Sequence, residues 1–181
     1  MSIERVDSLA GQVARSLRDV PDFPSPGILF KDITPILADP DLMRAIIRDM
    51  AGRAQGDRPT HVVGVESRGF LFGMPLALEL GVPFAPARKP GKLPWRTLRE
   101  SYTLEYRQDV LEMHEDALGD RGARVLIVDD VLATGGTAAA TCRLVQSLGG
   151  RITGVQVLVE LAALGGRTRL SGVDVQALVQ A

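Results

Sequence analysis

Apolar and polar positions along the chain alternate between two periods, and their order predicts strands followed by helices. Residues 2–18 place Ile3, Val6, Leu9, Val13 and Leu17 near helical spacing, and Pro21 stops that helix. Repeated prolines in residues 21–35 forbid a long helix while apolar residues persist, which predicts a rigid, extended segment able to form one wall of a pocket. Asp39-Pro40-Asp41 then opens a helix through about Ala54, with Leu42, Ile46, Ile47 and Met50 on one face. Residues 60–65 read as a strand, 70–80 as a helix and 82–87 as a short strand. From 98 to 112 the period changes to two, with Tyr102, Leu104 and Tyr106 on one side and a second run over 110–114, which predicts an antiparallel hairpin. Residues 125–128 are continuously apolar, as in a strand buried on both faces, and Ala138, Cys142, Val145 and Leu148 follow at helical spacing. A strongly apolar strand over 153–161, a short helical turn after Gly165-Gly166 and a terminal strand over 175–181 complete the pattern. Alternating strands and helices imply right-handed βαβ units, hence an α/β fold with a mostly parallel sheet flanked by helices and ligands at the carboxyl ends of its strands.

Composition narrows the class. At 181 residues with a formal net charge of −1, one compact domain over 1–181 is expected. No apolar run approaches the roughly 20 residues of a membrane span, and the mixed-charge start is unlike a secretory signal, so no membrane partner and a cytoplasmic location are expected. Cys142 is the only cysteine, so no internal disulfide forms. With His61 and His114 the only histidines, no Cys/His metal cluster can be assembled. Near-neutral charge and few aromatic residues argue against a nucleic-acid partner.

Candidate chemistry concentrates where strands hand over to helices. After the strand at 125–128 come two adjacent carboxylates, Asp129 and Asp130, and then Ala133-Thr134-Gly135-Gly136-Thr137 before the next helix. Such a loop turns backbone N–H groups into one concavity at the positive end of the helix dipole, which suits a phosphate dianion. It lacks the lysine of a Walker loop and the spacing of a dinucleotide fingerprint. Two acids beside a phosphate require a ligand that also offers hydroxyl donors, Mg²⁺ or developing positive charge, and a sugar phosphate meets those needs.

This pattern closely resembles the 5-phosphoribosyl 1-diphosphate (PRPP) signature of the type I phosphoribosyltransferases. The resemblance implies 5′-phosphate binding by Ala133, Thr134, Gly135, Gly136 and Thr137, and ribose contacts from Asp129 and Asp130. The run PxFPxPGILFKDIT is similar to the hood segment of adenine phosphoribosyltransferases, covering about 21–35, and implies that Leu29, Phe30 and Lys31 lie beside adenine, with Leu161 on its opposite face. Lys31 stands where arginine is common. GVESRGFLFG resembles that family's diphosphate loop, implying roles for Ser67, Arg68 and Gly69, and Glu66 to Arg68 is where a strained non-proline peptide bond is to be sought. The RKxGKLP stretch adds Arg88, Lys89 and Lys92 for diphosphate, with Arg88 a candidate to reach across a dimer interface. SYTLEY resembles the family's flexible catalytic loop, so a lid over about 92–112 is implied, with Glu105 the general acid/base facing the purine; Arg107 replaces the usual glycine. The C-terminus is the least family-like part.

The resemblance spans about 21–165 and implies a purine salvage transferase: adenine and PRPP give AMP and diphosphate. Mg²⁺ would be held mainly by PRPP and diphosphate rather than by a protein cluster, and a homodimer is implied. Transfer to hypoxanthine, guanine or xanthine, or a PRPP-binding regulator without turnover, are the rival readings; the hood and SYTLEY favour adenine, and Glu105 favours catalysis.

Overall fold

The computed structural model describes residues 8–56, 58–103, 108–119 and 122–181. They divide into two compact units, Met1–Asp49 and Met50–Ala181, with the boundary inside a helix.

The first unit contains α1 (Leu9–Ser16), β1 (Arg18–Val20), β2 (Phe30–Asp32), the short α2 (Thr34–Leu37) and the first part of α3 (Pro40–Ala54). The Ser8 hydroxyl caps α1 by accepting from Gly11 N at 3.2 Å. The helix expected over 2–18 therefore ends early, at Ser16, while residues before Ser8 lie outside the described ones. Arg18–Val20 instead pairs antiparallel with β2, Arg18 opposite Asp32 and Val20 opposite Phe30. Two effects decide this. Pro21 disfavours a helical conformation at Val20, and the pairing satisfies backbone groups that a last helical turn leaves open. At α3 the expectation holds: Asp39 accepts from Asp41 N and Leu42 N, both at 3.0 Å, and Pro40 occupies the first turn.

The second unit carries β3 (His61–Val65), α4 (Gly69–Leu80), β4 (Phe84–Ala87), β5 (Thr97–Thr103), β6 (Gln108–His114), β7 (Arg124–Leu132), α5 (Gly136–Ser147), β8 (Arg151–Glu160) and β9 (Val175–Gln180). Two 3₁₀ turns, Ala162–Leu164 and Gly166–Leu170, separate the last two strands. Five strands form a parallel sheet in the order β4-β3-β7-β8-β9, and β5 and β6 pair as the predicted antiparallel hairpin. Odd-numbered positions Val63, Val125, Ile127, Val155 and Val157 pack in one core with Leu144 and Val145 of α5 and Leu111 and Met113 of the hairpin. On the opposite face of β3, Gly64 leaves room beside α4 for the rings of Phe70 and Phe84. Each fully buried aliphatic side chain of this kind contributes about 1.5–3 kcal/mol.

The chain steps from β3 to β4 in one direction and from β7 to β8 in the other. Right-handed crossovers then put α4 and α5 on opposite faces, and the reversal between β3 and β7 opens a crevice at their carboxyl ends. Into that crevice run the two loops singled out by sequence.

Candidate active site

Strand β7 does not stop before its acids. Asp129 pairs with Val157, Val131 with Val159 and Leu132 with Glu160, so the strand continues beyond the 125–128 run because β8 is long enough to supply partners. Asp130 is 2% exposed, and Asp130 N donates to Asp129 Oδ1 at 2.9 Å. Burial pushes the Asp129 carboxyl well above the usual range, and repulsion from Asp130 adds to it. Burial also raises Asp130, against the opposing pull of Arg68. Arg68 Nε stands 3.0 Å from Asp130 Oδ2, an ion pair whose alignment falls short of a hydrogen bond at that oxygen.

Gly69 explains how the 66–69 loop comes so close. A Cβ there would sit 2.6 Å from Val128 O and 3.1 Å from Asp129 Cα, so only glycine lets the start of α4 rest on β7 beside the acids. The Glu66–Ser67 peptide bond is cis, within the segment the sequence singles out for unusual backbone geometry. Ser67 is exposed and Arg68 half-buried.

The loop from Ala133 to Thr137 leads directly into α5. Gly135 caps the helix with φ of +79°, and its Cβ would lie 2.2 Å from Gly166 O. Gly166 answers in kind: a Cβ there would meet Ala133 O at 2.2 Å. The loop is thus braced backbone to backbone by the 3₁₀ turn. The first-turn N–H groups of α5 have no carbonyl within the helix to accept them, and no acid stands in that turn, so an anion can take their place.

A second cluster surrounds Glu66. Its carboxylate accepts from Lys89 N at 2.7 Å and from Arg88 Nε at 3.2 Å, while Arg88 Nη1 donates to Lys92 O at 2.9 Å. Burial opposes ionisation of Glu66, but these bonds outweigh it and hold the carboxyl below its usual value. Glu112, 1% exposed, closes the other side, accepting from Gly91 N at 3.1 Å and pairing with Arg99 at 2.6 Å. The Arg88 guanidinium, a candidate for reaching a partner's ligand, is therefore bonded within its own chain. The Lys92 side chain is exposed.

A phosphoribosyl transferase domain model matches residues 32–175. The chain is 58% identical over 163 residues to an adenine phosphoribosyltransferase of Myxococcus xanthus, covering 90% of this chain and 88% of the relative. The crystal structure of adenine phosphoribosyltransferase from Rhodothermus marinus is similar with a TM-score of 0.90 at 51% identity, over 96% of this chain and 98% of that one. The Saccharomyces cerevisiae enzyme, solved with an imino-altritol bisphosphate and adenine, is similar at 40% identity with a TM-score of 0.90, over 96% and 99% of the two chains. The chain belongs to the adenine phosphoribosyltransferase family.

The residues that the resemblance assigns to a hood lie in the first unit of this phosphoribosyltransferase. Phe30 and Lys31 form part of β2, Phe30 packs edge-on against Phe23 at 5.1 Å, and Lys31 Nζ donates to Asp19 Oδ1 at 2.6 Å. Leu29 is exposed. Leu161 lies in the second unit and donates its N–H to Leu132 O at 2.9 Å, which fixes it at the end of β7. Glu105 and Arg107 lie outside the described residues. Sequence reasoning missed a buttress behind Leu161: Arg167 donates to both oxygens of Glu160 at 2.7 and 2.8 Å and to Val175 O at 2.7 Å. It also left Asp109 and Gly166 without roles, because their partners lie far away in sequence.

Proposed function

We propose that the chain transfers the 5-phosphoribosyl group of PRPP to adenine, giving AMP and diphosphate, in purine salvage. The observation that carries this reading is the meeting of Arg68 with Asp130 at the point where the sheet changes direction, beside the glycine-braced loop that opens α5. In this reading, anion-binding and hydroxyl-binding groups share one crevice.

In this reading Ala133, Thr134, Gly135, Gly136 and Thr137 hold the 5′-phosphate, through first-turn N–H groups and two hydroxyls. Asp129 and Asp130 take the ribose diol and favour the positive charge that builds on the ring as the bond at C1′ breaks. Ser67, Arg68 and Gly69, with Arg88, Lys89 and Lys92, receive the diphosphate as its negative charge grows. Leu29, Phe30, Lys31 and Leu161 hold the base so that its N9 lies in line with C1′. Glu105 exchanges a proton on the N7 side of the purine while N9 forms its bond. The hood over 21–35 and the lid over 92–112 are parts of one transferase domain in this account.

Among the described residues no group of three or more His, Cys, Asp and Glu side chains is arranged to hold a metal. In this reading Mg²⁺ is carried mainly by PRPP and diphosphate oxygens, and when bound it would neutralise charge on the leaving group. The phosphate-bearing substrate and product are anions that do not cross membranes unaided, so the proposed compartment is the cytoplasm. Among the described residues no helix is long and apolar enough to cross a membrane.

A homodimer is the proposed assembly. Support comes from α4, where Leu71, Met74 and Leu78 are exposed by 44%, 45% and 71% on one face of an otherwise core-forming helix.

The test is conversion of labelled adenine by the purified chain with PRPP and Mg²⁺. AMP and diphosphate in equal amounts are expected; PRPP bound but never consumed would replace the enzyme with a PRPP sensor.

A further inference from the structure

The hairpin carries a carboxylate that the proposed reaction does not use. Asp109, in β6, lies against the ammonium of Lys89 in an ion pair. It has two further partners: Asp109 Oδ1 accepts from Val110 N at 2.9 Å, and Oδ2 accepts from the Tyr102 hydroxyl at 3.2 Å. Tyr102, 6% exposed, also receives Lys89 Nζ at 3.3 Å and Thr137 Oγ1 at 3.4 Å. One phenol oxygen thus ties the basic segment and the hairpin to the loop that opens α5.

Partial burial works against the charge on Lys89, but bonds to Asp109 and Tyr102 outweigh it and hold its pKa above the usual lysine value. The same pair lowers Asp109 against the opposing effect of its burial. Lys89 is therefore a fully formed cation whose counter-charge is supplied by its own chain. A carboxylate beside that cation reduces the potential felt by an incoming anion, and it offers the ammonium an alternative partner when the anion leaves.

We propose that Asp109 is a positioning residue that competes with diphosphate for Lys89, holding the ammonium in place in the empty site and weakening its grip on PRPP and on released diphosphate. This rests on the assignment of Lys89 to diphosphate. Exchange of Lys89 between Asp109 and diphosphate keeps the cation paired at every stage, and the Tyr102 hydroxyl carries the change to Thr137.

The test compares the wild type with Asp109→Asn, Lys89→Met and the double variant, each shown by its melting curve to be folded. Inhibition by diphosphate and KM for PRPP are measured together with kcat. Asp109→Asn is expected to bind diphosphate more tightly and to lower KM for PRPP, each on the order of three- to tenfold, while kcat does not rise. Lys89→Met weakens both, and adding Asp109→Asn to it has no further effect. A carboxylate that merely braced the hairpin would give weaker binding on removal. Unchanged or weaker diphosphate binding in Asp109→Asn, with the expected loss in Lys89→Met, overturns the proposal and leaves the transferase reading intact. Unchanged binding in Lys89→Met overturns the assignment of Lys89 and the proposal with it. Absence of diphosphate inhibition in the wild type would count against the transferase reading itself.

Discussion

At the scale of single residues, the acids of β7 separate stability from function. A carboxyl whose pKa is raised on folding is ionised at a cost, so above that pKa its charge opposes the native state. Asp129→Asn removes this charge, and its melting temperature is expected to equal or exceed that of the wild type. KM for PRPP should rise at least about tenfold, the loss of a charge-assisted hydrogen bond to the ribose. A large fall in melting temperature would mean that Asp129 is a structural acid. Glu105 calls for a different signature. Glu105→Gln is expected to lower kcat by about a hundredfold or more while leaving PRPP affinity within a factor of about three, as measured by steady-state kinetics and calorimetry. The junction that carries Asp129 and Asp130 is legible in sequence because its chemistry is local: acids and hydroxyls stand where a strand hands over to a helix, and residue type alone limits what they can bind. Asp109 is not legible in this way, since nothing in Gln108-Asp109-Val110 points to a lysine twenty positions earlier.

Elements show where local reading stops. The hairpin, α3, α4 and α5 follow from periodicity and caps within a few residues. The length of β7 does not, because it is set by pairing with β8, and the end of α1 is set by the pairing of β1 with β2. The brace between Gly135 and Gly166 belongs to the same class: each glycine looks like an ordinary turn residue until the two backbones meet. Gly166→Ala forces a Cβ against Ala133 O, and we expect it to cost about 1–3 kcal/mol in denaturant unfolding and to raise KM for PRPP several-fold. The Glu160–Arg167 buttress predicts a pH signature. Arg167 holds the Glu160 carboxyl below its usual range, with burial opposing it. A depressed native pKa gives stability that is present above that value and is lost as pH falls through the native one. The wild type should therefore exceed Glu160→Gln in stability by about 1–2 kcal/mol near neutrality, with the gap closing as pH falls through the depressed native pKa. A gap independent of pH would remove the ion pair from the account.

For the whole molecule, the parallel order β4-β3-β7-β8-β9 explains why loops some sixty residues apart in the chain share one crevice. Alternating strands and helices made that architecture readable, while the exact neighbours required the observed crossover directions. The exposed stripe on α4 leads to a further expectation. Leu78→Glu combined with Met74→Glu should shift the protein toward a monomer in sedimentation equilibrium without lowering its helical content; an unchanged dimer would move the interface elsewhere. The most direct test of the central claim is diphosphate release from PRPP and Mg²⁺ with adenine, hypoxanthine, guanine and xanthine supplied separately to the purified protein. The account predicts release with adenine alone. Release with another base would leave the PRPP and diphosphate loops standing but overturn the roles of Leu29, Phe30 and Lys31, and no release with any base would contradict the transferase assignment.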